Sequence, residues 1–196
     1  MWRSIHKQIG GRIDSLPAGA VLTVTDFSDL AEAKTVSKCL RRFTEKGRIA
    51  KVLRGIFWKP DGASPSPDAV ARALARSNLW QVVPCGDTAL HLTGLSEQAP
   101  PEWTYLTDGT NRRYGFAGHV ITFRHATGKT FLSERAALLV QAVKACGKSP
   151  LSQEHSRKLC AYFRPEEWAA LLAETKHTTA WVRKAIRSLF SRRETA

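Results

Sequence analysis

The chain has 196 residues, room for one large domain or two small ones, and its apolar content of 43% is that of a folded protein. It carries 30 Lys and Arg against 17 Asp and Glu, a net charge of +13, which points to a polyanionic partner, nucleic acid first. No apolar run approaches the roughly 20 residues of a membrane span, and residues 1–16 lack a signal peptide's hydrophobic centre, so no membrane partner and a cytoplasmic location are expected.

Residues 2–16 place Trp2, Ile5, Ile9, Ile13 and Leu16 three or four apart, which predicts an amphipathic helix. Gly10-Gly11 in its middle weakens it by about 1 kcal/mol per glycine, and Pro17-Ala18-Gly19 ends it. Val21 to Val24 can form a short strand. Thr25 can cap a short helix over residues 26–31, followed by a tight turn at 32–34.

A second helix is predicted over 35–46. Val36, Cys39, Leu40 and Phe43 form its apolar stripe, and Lys34, Lys38 and Arg41 project from the opposite side. Gly47 follows as a helix-ending residue able to take positive φ. Residues 49–53 and 56–59 read as two strands of a hairpin turning at Arg54-Gly55. The order of helix, turn, basic helix and basic-tipped hairpin is that of a winged helix-turn-helix. Its helix enters the major groove of a duplex and its wing touches the backbone or minor groove. On this reading Thr35, Ser37, Lys38 and Arg41 face base edges, Lys34 lies nearer a phosphate, and Lys51 and Arg54 act from the wing. A solvated helix on an ordinary small domain is the plain alternative.

Residues 61–67, DGASPSP, form the clearest linker, so the first domain is expected at 1–60 and a second at 68–196. Ser66 can cap the next helix with Pro67 in its first turn; Val70, Leu74 and Leu79 supply its buried stripe. Strands are then expected at 80–83, 103–107, 113–116 and 119–123. Helices are expected at 87–92, after Cys85-Gly86, and at 134–145, capped by Ser133. Three more helices follow at 152–162, 165–174 and 179–191. The fold class is therefore α+β: an N-terminal winged helix-turn-helix, then a small, mostly antiparallel α+β domain with C-terminal helices.

The hairpin ending GIFWKP, the segment VPCGDTALHLTGLSEQAPPEWTYLTDG and the helix around ERAALLVQAVKACG together resemble the AbiEi-like antitoxins of type IV toxin–antitoxin systems. The resemblance covers roughly residues 5–190. Gly86, Ala89, Leu90, Gly94, Leu95, Ser96, Pro100, Leu106 and Thr107 are its more specific part. It implies binding to double-stranded DNA at the chain's own promoter, giving autorepression. It also implies neutralisation of a cognate nucleotidyltransferase-like toxin, with or without direct contact, by the part after the winged helix.

The sequence offers little for catalysis. It has no G-x-S-x-G, P-loop or G-x-G-x-x-G, and its acidic residues are scattered rather than paired for magnesium. Gly94-Leu95-Ser96 reads as a helix end, and Asp108-Gly109-Thr110 needs only a hairpin. Cys39, Cys85, Cys146 and Cys160 form no CxxC pair, and the six histidines lack ligand spacing. Cys39 and Cys146 read as buried thiols and His91 as a packed, hydrogen-bonded ring. No catalytic residue, cofactor or metal is expected. A protein-interaction module and an RNA-binding protein are the alternatives to a DNA-binding regulator.

Overall fold

In the computed structural model, which describes residues 2–60, 63–126 and 132–194, the first helix, α1 (Trp2–Ser15), buries Ile9 and Ile13. It is followed by β1 (Val21–Thr23), a 3-10 turn at Val24–Phe27 and α2 (Ala33–Glu45). The hairpin is β2 (Ala50–Leu53) and β3 (Ile56–Trp58). The strands make a three-stranded antiparallel sheet in the order β1-β3-β2. Ile9, Ile13, Leu22, Phe27, Val36, Leu40, Phe43 and Phe57 close into one apolar cluster.

Three local features depart from the sequence reading. The expected helix over 26–31 is a single 3-10 turn beginning earlier, with Thr23 rather than Thr25 at its start. The Asp26 carboxylate accepts from the Thr23 N–H at 2.7 Å. Leu30 donates to Phe27 O, leaving Asp26 O for the Arg12 guanidinium at 2.9 Å, and the i to i+4 bond that follows, Ala31 N–H to Phe27 O, is long at 3.4 Å. Arg12 also forks onto Asp29 at 2.7 and 2.6 Å. Meanwhile α2 starts two residues early, where a tight turn was expected.

The two glycines of α1 differ. A Cβ on Gly10 would stand 3.1 Å from Phe43 Cζ, so Gly10 permits the close approach of α1 to α2. A Cβ on Gly11 would meet nothing within 4 Å. Gly11→Ala should therefore stabilise the protein by about 0.5–1 kcal/mol through lost unfolded-state entropy. A denaturant midpoint unmoved or lowered by Gly11→Ala would contradict this.

The next helix, α3 (Pro67–Asn78), starts as expected. Ser66 Oγ accepts from Ala69 N–H at 3.2 Å, with Pro67 in the first turn. Leu79, assigned to its buried stripe, is instead 86% exposed. It takes the left-handed conformation, φ 57°, that closes the helix, and this turns its side chain outward. The helix packs on β1 and β3, and Arg76 donates to Val21 O at 3.0 Å. Ile56 and Thr23 are fully buried on the sheet face opposite Leu22 and Phe57, which this packing accounts for.

The chain divides into two compact units, 1–81 with 115–119, and 82–114 with 120–196. Where the sequence reading closes the first domain near Pro60, the unit runs on through α3 to Gln81. A fragment of residues 1–81 should accordingly melt cooperatively at a higher temperature than one of residues 1–60, which loses the cover over Thr23 and Ile56. Equal melting temperatures would show α3 to be dispensable.

The second unit holds β4 (Val82–Pro84), α4 (Asp87–Leu92), β5 (Glu102–Thr107) and most of β6 (Arg112–Phe116) and β7 (His119–His125), whose adjoining ends at 115–119 fall in the first unit. The strand order is β4-β5-β7-β6. β4 pairs antiparallel with β5, and β6 returns into β7 through a two-residue turn, Ala117-Gly118, with φ 48° and 79°. The central pair, β5 with β7, is parallel. Asp108-Gly109-Thr110 is therefore not the tip of a hairpin, because β7 lies between β5 and β6. Thr88 Oγ1 accepts from Thr104 N–H at 2.8 Å and fastens α4 to β5.

Four helices follow: α5 (Glu134–Ala145), α6 (Gln153–Tyr162), α7 (Trp168–Thr175), preceded by a 3-10 turn at Pro165–Glu167, and α8 (Ala180–Glu194). Ser133 and Ser152 cap α5 and α6 by accepting from Ala136 and His155 N–H. The core they share includes Leu139, Val143, Leu159, Phe163, Trp168, Leu171, Val182, Ile186 and Leu189. Arg135 lies over the Tyr162 and Phe163 rings and forks onto Glu167 at 2.8 Å on both arms. That pairing holds the Glu167 carboxyl below its ordinary range. Cys39 is buried as expected, whereas Cys146 is only half-buried beside this core.

Candidate nucleic-acid interface

The basic helix α2 owes its orientation to its apolar stripe. Val36, Cys39, Leu40 and Phe43 are each 1% exposed or less. Rotation by about 100° per residue then places Lys34, Lys38 and Arg41 together on the far side. All three are exposed, Arg41 with 75% of its side chain accessible. Ser37, exposed, and Thr35, half-buried, lie on the two flanks of that face rather than at its centre.

The C-terminus of α2 is fixed by a Schellman closure. Arg48 N–H donates to Phe43 O and Gly47 N–H to Thr44 O, both at 3.0 Å, with Gly47 at φ 68°. The chain then enters β2 directly. Lys51 is exposed on that strand, opposite Phe57, and a register shift follows before Leu53 meets Ile56. Arg54-Gly55 make the two-residue turn, with φ 78° at Gly55 and the Arg54 side chain exposed. The seven predicted residues thus fall into two groups in one compact unit, five on α2 and two on the hairpin.

The basic residues of this unit divide by what they do. Arg12 binds Asp29, Arg48 pairs with Asp14, and Arg76 holds Val21 O. Lys59 Nζ donates to Asp14 O and Leu16 O at 2.9 and 2.6 Å, capping the end of α1. Those four hold the fold. Arg41 touches Glu45 one turn on, at 3.4 Å, an exposed pair of small energetic consequence. Lys34, Lys38, Lys51 and Arg54 have no ion pair among the described residues. Sequence reasoning missed Arg42 and Lys46, both exposed. The signal was available, since Lys38, Arg42 and Lys46 recur at i, i+4 and i+8 and so form one ridge.

Elsewhere the structure gives little chemistry. Among the described residues no group of three His, Cys, Asp or Glu side chains is placed to hold a metal ion. No helix there is long and apolar enough to cross a membrane. His91 is half-buried, edge-on to Trp103 at 5.5 Å, and its Nδ1 has no hydrogen-bond partner, contrary to the hydrogen-bonded ring expected. Ser96 Oγ donates to Gln98 O at 3.2 Å, as a residue of a helix-ending turn.

The fold and this surface define a mixed α+β protein whose N-terminal unit presents a basic helix and a basic hairpin. Residues 8–171 match DUF6088, a family of unknown function, and the chain belongs to that family. No curated protein matches it.

Proposed function

We propose that the chain is a DNA-binding transcriptional regulator whose N-terminal unit works as a winged helix-turn-helix, a binder rather than an enzyme. The observation that carries this reading is the exposed face of α2. Lys34, Lys38 and Arg41 stand there together, opposite a fully buried stripe, and a basic hairpin follows directly in the chain. A helix of that form suits the major groove and a hairpin of that form suits the adjoining backbone. The resemblance of residues 83–109 to AbiEi-like antitoxins supports the further role. The chain represses its own operon and counters a nucleotidyltransferase-like toxin through the part after the winged helix.

The test is binding of the full chain to its own upstream duplex and to total RNA across a salt series. A specific duplex complex whose log K falls linearly with log salt supports the reading; equal or tighter binding to RNA refutes it. The hairpin gives a separate expectation. Arg54→Ala should weaken native and shuffled duplexes alike and reduce the salt slope by about one unit, because a phosphate contact carries no sequence information. A changed sequence preference with the same slope would mean that Arg54 reads bases. For the antitoxin role, co-expression with the product of the neighbouring gene decides: unrelieved growth arrest removes that part of the proposal.

A further inference from the structure

Between α1 and the C-terminal half of α2 lies an open cleft of about 430 Å³, lined by His6, Lys7, Gly10, Phe43 and Arg48 among others. On the α1 wall Gly10 and Gly11 add no side chain between His6 and Lys7 on one side and Asp14 on the other. The His6 ring stacks on Phe43, centroids 4.4 Å apart and planes 3° from parallel, and Arg48 lies over the same phenyl ring at 4.8 Å. Its Nδ1 is enclosed and has no hydrogen-bond partner.

The charges around this ring are one-sided. Lys7 precedes the cleft on α1, Arg42 and Lys46 approach from α2, and Arg48 follows α2. Asp14 is the acidic residue of the lining, and it is engaged by Arg48. The ridge Lys38–Arg42–Lys46 leads from the exposed face of α2 to the cleft's edge. Burial first, and then the charges of Lys46, Arg42 and Arg48, push His6 below its ordinary pKa, so the ring is neutral at neutral pH.

We propose that this cleft is a second phosphate site, taking a backbone phosphate of the duplex beside the groove read by α2, with Lys7 and Lys46 as its donors and His6 beside them as the ring whose charge responds. The proposal rests on the DNA-binding reading above. An anion there offsets the repulsion among the cations and favours a proton on His6. Duplex binding is then coupled to proton uptake.

The experiment uses the full chain with its upstream duplex, a shuffled duplex of equal length and inorganic phosphate. His6 is followed by NMR titration and affinity is measured at about pH 6 and pH 8, either side of the usual histidine range. The His6 pKa should rise when either duplex saturates the protein, and affinity should be higher at the lower pH. His6→Gln should flatten that pH dependence. Lys7→Ala and Lys46→Ala, both exposed, should each cut the salt slope by about 0.9 for both duplexes. Wild-type protein that binds duplex with an unmoved His6 pKa, and lysine variants with full slopes, would overturn the site while leaving the DNA-binding reading intact. Failure to bind any duplex overturns both. A His6 shift with inorganic phosphate and not with duplex assigns the cleft to free anions and overturns the proposal as stated.

Discussion

Trp168→Ala should cost about 3–5 kcal/mol, the range for removing a large, fully enclosed ring whose cavity cannot close. The indole is 0% exposed, lies edge-on to Phe163 and donates Nε1–H to Phe163 O at 3.3 Å. It stands at the start of α7, where that helix meets the core shared by α5, α6 and α8. Losing it opens a cavity in that shared core. Trp168→Phe should cost less, about 1–3 kcal/mol, since most of the volume remains and the loss is chiefly the buried carbonyl's partner. Equilibrium denaturation measures both. A loss below about 1 kcal/mol for Trp168→Ala would mean that the core repacks around the gap.

The second large effect is on binding. Lys38→Ala or Arg41→Ala should each lose about 1–3 kcal/mol on the native duplex if the residue forms a bidentate base contact, and specificity should relax at the base concerned. Arg41 must leave Glu45 to do so, which an exposed pair at 3.4 Å permits at little cost. Ser37→Ala and Thr35→Ala, on the flanks, should lose less. The Ser37, Lys38 and Arg41 variants should melt as wild type, because those side chains are exposed. An electrophoretic shift on the upstream duplex unchanged by Lys38→Ala and Arg41→Ala together would rule out this face of α2.

Much of the architecture could be read from sequence because it is set by short-range chemistry. Ser66, Ser133 and Ser152 begin helices where a serine precedes an apolar-periodic run, and Gly47 closes α2 with the positive φ its position requires. The stripe Val36, Cys39, Leu40, Phe43 fixed which side of α2 faces out. The missed features depend on distant partners. Arg12 reaches across from α1 to take Asp26 O and Asp29, and this reduces an expected helix to one turn. Leu79 fits an apolar period, yet helix closure claims it. The parallel pairing of β5 with β7 joins strands separated by β6, which neither period nor turn residues encode. The same holds for the candidate site. Its charged face followed from helical period, whereas the His6 cleft required α1 and α2 to be brought together at Gly10.

The strand order β4-β5-β7-β6 also bears on how the protein behaves when crowded. An open strand edge is a template on which another chain can add a strand, the first step of amyloid-like association. Here the two outermost strands are poor templates. β4 is three residues long and ends in Pro84, which has no N–H to offer. β6 begins with Arg112 and Arg113, both exposed, so a second copy added parallel and in register would bring arginine against arginine. The parallel pair, whose backbone groups would be the most hazardous if bare, is enclosed between them. The positive charge at this edge disfavours strand addition by a like copy.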